Sequence, residues 1–243
     1  MLKLNRRTKP DEQRDLKERL KKTDVAFMHL AKTGGTTIKY TVSKLEKRGV
    51  SVPIQSFNHR WRAKDLLDVK PTVQLGIVIR EPAERFVSAF YSRLRSGRPD
   101  HEHEWSTREA IIFSNFRDPN TLAEWLYSDD EWEKSTARWA ANGLRHLLRG
   151  YGYYFDSVDT AKSMSDNLKY VWHMKDLSGN LRQMFLDNGI KAEDFDEVYQ
   201  VAHPAPDRPS PLSDLARQNI RRFWRREVNI YRYLKELADQ RSA

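Results

Sequence analysis

The stretch Val25-Ala-Phe-Met-His-Leu-Ala-Lys-Thr-Gly-Gly-Thr-Thr-Ile38 decides how this chain is read. Its apolar first part has the length of a buried strand, and Ile38 to Leu45 reads as a helix that follows directly. Between them lies Lys32-Thr33-Gly34-Gly35-Thr36-Thr37. Paired glycines let a backbone approach a ligand closely, and hydroxyls and helix N-terminal amides can then face an anion. A lysine at the mouth adds a point charge suited to phosphate. The segment is a strand–loop–helix anion cradle. A nucleoside triphosphate fits it badly: a Walker A loop places lysine after its second glycine, whereas Lys32 precedes both.

A second unit of the same kind follows. Gln74-Leu-Gly-Ile-Val-Ile-Arg80 reads as a buried strand, and Glu81-Pro-Ala-Glu-Arg-Phe-Val-Ser88 opens a helix with proline near its first position. Phe86, Phe90 and Leu94 recur every four residues and mark its buried face. Arg80 at the strand end and Ser88 about two turns into the helix can converge on one anion.

Together these segments resemble the sulfotransferases, the carbohydrate sulfotransferases in particular. Lys32 to Thr37 matches their 5′-phosphosulfate loop, close to P-K-T-G-G-T-[ST], with Ala31 where the family usually has proline. Arg80, Glu81, Pro82, Glu84, Arg85, Phe86 and Ser88 match their 3′-phosphate motif. The final helix carries Glu227-Val-Asn-Ile-Tyr-Arg-Tyr-Leu234, similar to a family pattern D-x-x-L-Y-x-Y-L, and Asn142 to Gly150 weakly resembles a family stretch near the acceptor pocket. The resemblance is specific over about 25–90, loose over 134–240 and absent from the first 23 residues. It implies 3′-phosphoadenosine 5′-phosphosulfate (PAPS) as donor, adenosine 3′,5′-bisphosphate (PAP) as product, no metal, and a hydroxyl acceptor, carried by a carbohydrate in this group of enzymes. On it, Lys32, Thr33, Gly34, Gly35, Thr36 and Thr37 would hold the 5′-phosphate, Arg80 and Ser88 the 3′-phosphate, and Lys32 would also act in catalysis.

Between the two motifs, Ser51-Val-Pro-Ile-Gln-Ser-Phe57 reads as a strand that ends in Asn58-His59-Arg60-Trp61. Imidazole can accept a hydroxyl proton near neutral pH, and related enzymes place a proposed histidine base at this strand end, so His59 is the candidate base. Ligands of open α/β sheets bind outside the carboxyl ends of the strands, which puts Lys32, His59 and Arg80 in one crevice. His29 is read as packed or hydrogen-bonded. Trp61 is a candidate acceptor platform, Arg85 fits either an anion contact or a structural ion pair, and Arg208 could reach the nucleotide. His101 and His103 are read as part of a solvated loop, and Trp125, Trp139 and Trp224 as core.

The rest of the chain sets bounds. Its 243 residues suffice for one α/β domain, expected over 24–243 after a charged N-terminal extension, 1–23, in which Asp11 to Lys22 reads as a solvated helix. The expected fold is three-layer α/β with a central parallel sheet, of the P-loop-like sulfotransferase type. Strands are expected at about 25–30, 51–57, 74–80 and 168–174; helices at about 35–48, 83–95, 107–116, 120–127, 134–149 and 212–238, with a Gly/Tyr-rich turn at 150–154. A net charge of +9 favours an anionic partner, and no nucleic-acid-binding module accompanies it. The absence of cysteine excludes disulfides, thiolate metal sites and cysteine nucleophiles. No secretory signal or membrane span is legible, which suggests a bacterial-type cytoplasmic enzyme, or a Golgi enzyme whose anchor has been removed. A divergent P-loop kinase and a non-enzymatic basic glycan- or nucleic-acid-binding protein are the competing readings.

Overall fold

A computed structural model describes residues 10–96, 98, 103–200 and 212–242. Four parallel strands, β1 (Val25–Met28), β2 (Ile54–Phe57), β3 (Gln74–Ile79) and β4 (Tyr170–His173), form one sheet in the order β2-β1-β3-β4. Thirteen α-helices are present among the described residues: α1 (Pro10–Lys21), α2 (Gly35–Lys47), α3 (Ala63–Val69), α4 (Pro82–Leu94), α5 (Thr107–Asn115), α6 (Pro119–Trp125), α7 (Glu131–Ala141), α8 (Tyr151–Phe155), α9 (Val158–Ser163), α10 (Leu177–Asp187), α11 (Ala192–Val198), α12 (Asp214–Phe223) and α13 (Arg225–Ser242).

Strand alternation sorts the core into two layers. Val25, Phe27, Ile54 and Val78 face Ile38, Val42 and Leu45 of α2 and Leu181 and Phe185 of α10. Ala26, Met28, Leu75, Ile77 and Ile79 face α1, α3, α8, α9 and α13. A third cluster joins Phe86 and Phe90 of α4 to α5, α6, α7 and α12. Gly76 in β3 is required by packing, because a Cβ there would stand 2.4 Å from the Phe27 ring. The three-layer α/β expectation therefore holds.

Boundaries differ where local signals compete. Helix α7 stops at Ala141, where Asn142-Gly143 interrupts it, rather than running to 149. The expected turn at 150–154 is instead the short helix α8. The long final helix is broken at Trp224, whose backbone (φ −104°, ψ 41°) leaves the helical region as its ring packs on Phe86, 5.6 Å away between centroids. Helix α1 is not solvated on all sides: Leu16 is 2 % exposed and joins the core, and the Arg19 guanidinium lies 4.5 Å over the Phe57 ring. The proline-rich stretch with Pro204, Pro206, Arg208, Pro209 and Pro211 lies outside the described residues, as does His101.

Strand order places the functional crevice. The chain leaves β1 toward β2 on one side, whereas β3 and β4 lie on the other, so the switch point falls between the carboxyl ends of β1 and β3. The Lys32 loop and Arg80 emerge there.

Candidate active site

The loop after β1 is set by two left-handed residues. Lys32 has φ 70° and Gly34 φ 81°. For lysine that conformation is uncommon and costs some strain, which the surrounding structure must hold in place. Gly34 caps α2 and, having no side chain, contributes no cap hydrogen bond to the first-turn amides. Thirteen residues of aligned peptide dipole end at this point, which favours an anion. Packing also demands the glycines: a Cβ at Gly34 would meet Leu177 at 2.6 Å, and one at Gly35 would meet the His29 ring at 2.1 Å.

The threonines divide by role. Thr33 is buried, and its hydroxyl donates to the Leu30 carbonyl at 3.0 Å. A hydroxyl has one proton, so what Thr33 keeps for an anion is its backbone N–H, not the hydroxyl expected from sequence. Thr37 is buried and its amide bonds Gly34 O, whereas Thr36 is half-buried in the first turn of α2.

Arg80 links the two halves of the crevice. Its Nη1 lies 3.4 Å from the Lys32 carbonyl oxygen, and its Nε lies 3.7 Å from a Glu84 carboxylate oxygen one turn into α4. Ser88 follows Glu84 by one further turn on the same helix face, half-buried. Arg85, left open by sequence between anion contact and ion pair, is buried and donates from Nη1 to the His146 carbonyl at 3.1 Å. Its place is structural.

His59 follows β2 and turns back toward β1. Its Nδ1 lies 2.6 Å from the His29 carbonyl oxygen and 3.2 Å from the Tyr154 hydroxyl, which itself donates to the same carbonyl at 2.8 Å. A carbonyl can only accept, so Nδ1 carries the proton and the lone pair of neutral His59 sits on Nε2. Burial holds the His59 pKa below the usual histidine value against the opposing bond to His29, with Arg149 and Arg145 adding to the depression. The ring is therefore neutral near pH 7, with its basic nitrogen directed away from its anchor.

Two further histidines stand beside it. The His29 ring centroid is 4.5 Å from that of His59, and burial, with His59 and Lys39 next, depresses His29 to about 3. This agrees with its reading as packed. His146, on the irregular stretch after α7, is depressed to about 3 by burial first and by the charge of Lys32 second, and its Nδ1 is buried without a hydrogen-bond partner. No periodicity singled His146 out. Only its place in the Asn142–Gly150 stretch pointed to it.

Trp61 is not at the mouth of the site. It is 3 % exposed and packs in the core beneath the sheet, so sequence adjacency to His59 misled. Trp139, expected in the core, is 41 % exposed under the guanidinium of Arg108. Trp125 and Trp224 do pack against the third cluster. Tyr154 is the tyrosine in contact with His59; its neighbour Tyr153 bonds the Arg60 carbonyl through its hydroxyl and has the Arg62 guanidinium 5.0 Å and that of Arg149 5.8 Å from its ring centre.

The loop with its left-handed Lys32 and Gly34 at the switch point, an arginine at the next strand end and a tautomer-fixed histidine beside them form an arrangement whose chemistry suits group transfer. The model of the Sulfotransferase family matches residues 19–234. This chain belongs to the sulfotransferase family. No curated protein and no solved structure matches it significantly. Family membership makes the protein a transferase of sulfonyl groups, from a sulfate donor to an acceptor. No helix among the described residues is long and apolar enough to cross a membrane.

Proposed function

We propose that this sulfotransferase takes its sulfonyl group from PAPS and delivers it to a hydroxyl of a carbohydrate, with His59 as general base. The donor supplies a sulfur already bonded to a good leaving group, the 5′-phosphate of PAP. What the chain must supply is positioning and charge. The amides of Thr33 to Thr36, at the N-terminus of α2, hold the 5′-phosphate, Arg80 and Ser88 hold the 3′-phosphate, and Lys32 offsets the charge that gathers on the leaving oxygen. His59 Nε2 takes the acceptor proton as its oxygen bonds to sulfur and the bond from sulfur to the phosphate oxygen breaks.

The observation that carries this reading is the bond from His59 Nδ1 to the His29 carbonyl, because it leaves one basic nitrogen at the end of the strand beside the anion loop. The rim favours a polyhydroxy acceptor over an apolar alcohol: Arg145, Arg149 and Arg62 gather with Tyr153 there. Thermal-shift and calorimetric titrations of PAP against ATP with magnesium test the donor. Stabilisation by PAP alone is expected; stabilisation by ATP–magnesium alone would favour a P-loop kinase, and neither would leave a basic binding protein. A panel of glycans with labelled PAPS then tests the acceptor.

A further inference from the structure

The segment from His146 to Phe155 lies across the ends of two strands and is tied down at each. Tyr151 is fully buried, and its hydroxyl makes both backbone bonds of Arg80: it accepts from Arg80 N and donates to Arg80 O, each at 2.8 Å. Tyr154, one turn later and equally buried, donates to the His29 carbonyl at 2.8 Å and stands 3.2 Å from His59 Nδ1. One short helix thus holds the end of β3 at Arg80 and the end of β1 at His29.

The helix is itself clamped from α13 and α4. Glu227 Oε1 accepts from Gly152 N at 2.9 Å, Arg226 Nη2 donates to Gly152 O at 2.8 Å, and Arg85 donates to His146 O. The approach is close enough to exclude side chains: a Cβ at Gly150 would stand 1.8 Å from Glu227 Oε2, and one at Gly152 2.8 Å from Glu227 Oε1. This accounts for the spacing Gly150-Tyr-Gly-Tyr-Tyr154.

We infer that this tyrosine strap sets the donor-binding arginine and the base in register, with Tyr151 a positioning residue for Arg80 and Tyr154 a positioning residue for His59. The reasoning at Tyr154 is one of proton placement. Its proton goes to the His29 carbonyl, so its oxygen presents a lone pair to the His59 Nδ1–H, and the two acceptors share that proton. Both acceptors select the tautomer whose Nε2 is basic. The inference rests on the reading of His59 as base and Arg80 as a phosphate ligand.

The test uses Tyr154→Phe and Tyr151→Phe in the full chain, since phenylalanine keeps the buried ring and removes only the hydroxyl. Imidazole nitrogen NMR reads the His59 tautomer without any acceptor, and calorimetry reads PAP affinity. Tyr154→Phe is expected to reduce the preference for the Nδ1–H tautomer by roughly fivefold while PAP affinity stays unchanged. Tyr151→Phe is expected to weaken PAP roughly tenfold and leave the His59 tautomer as in the wild type. A fall in melting temperature with neither signal moved, or both signals moved equally by each variant, would show a merely structural strap and overturn the inference. Should Tyr151→Phe not fold, the Tyr154 arm decides alone. If the wild type binds no PAP, the donor reading fails with the Tyr151 arm, and the His59 spectrum still decides the role of Tyr154.

Discussion

The Nδ1 of His59 and the carbonyl oxygen of His29 are separated by 2.6 Å, across a gap of 30 residues in sequence. The bond joins the ends of β2 and β1 and decides which nitrogen of His59 is basic. A ring so anchored cannot rotate to exchange its nitrogens without losing a buried bond, and the carbonyl would then face a second lone pair.

His59→Ala should lower turnover by about 10²–10⁴-fold while leaving PAP affinity within error of wild type. Because burial holds the His59 pKa below 6.5, the neutral base persists into mildly acidic solution. The acid limb of the pH–rate profile should therefore fall below 6.5, with labelled PAPS and an acceptor from the glycan panel as the assay. A limb above 6.5, or lost PAP binding in the variant, would remove His59 from the base role.

Arg80→Ala should weaken PAP by about 10–100-fold, since a charge-assisted contact to a phosphate accounts for roughly 1.5–3 kcal/mol. Turnover at saturating donor should fall much less. Calorimetry on the variant checks this, and an unchanged affinity would make the Arg80 side chain a structural link to Glu84 and the Lys32 carbonyl rather than a phosphate ligand.

What sequence could show was local. Lys32 and Arg80 lie just past apolar runs, so strand ends and candidate site residues could be read together, and the parallel sheet followed from strands that alternate with helices. The tyrosine strap was not legible because its partners are distant: Tyr151 meets Arg80 across 71 residues and Tyr154 meets His29 across 125. Glycine and tyrosine in alternation read as a turn until Glu227 supplies the reason for the glycines. Trp61 failed for the opposite reason. It is a sequence neighbour of His59, but it packs on the covered side of the sheet.

Two histidines should make the protein sensitive to acid. His29 and His146 are depressed to about 3 in the fold and return to about 6.5 on unfolding. Between those values the unfolded chain binds more protons, so their stabilising contribution is complete above 6.5 and is lost as pH falls toward 3. Each adds a slope of at most about 1.4 kcal/mol per pH unit in that window. Urea midpoints from pH 7 to pH 4 should drop steeply in the wild type and less steeply in His146→Asn. Equal slopes would contradict the burial of a neutral His146.

The Arg93–Glu109 pair offers a test away from the chemistry. The side chains are 3 % and 4 % exposed and meet through two bonds of 2.7 and 2.8 Å. Burial pushes the Glu109 carboxyl up, but the Arg93 guanidinium and Ser106 outweigh it and leave the group below its usual value. Glu109→Ala should cost about 3–5 kcal/mol by stranding the guanidinium, whereas replacing both by apolar residues of similar volume should cost far less. Denaturant unfolding of the single and double variants separates the two cases.

Lys32 combines two properties that mutation can separate, its charge and its left-handed backbone. Alanine removes the charge and keeps the strain, because its Cβ resists φ 70° as lysine's does. Glycine removes the charge and releases the strain, so Lys32→Gly should be as stable as the wild type or more stable, by up to about 1 kcal/mol. If the ammonium group offsets charge on the leaving phosphate oxygen, both variants should lose turnover to a similar degree, by about 10²-fold or more. A glycine variant that regained turnover would mean that loop geometry, and not the lysine charge, limits the reaction. Equal loss in both, with melting temperatures that differ in the expected order, would assign the effect to the charge.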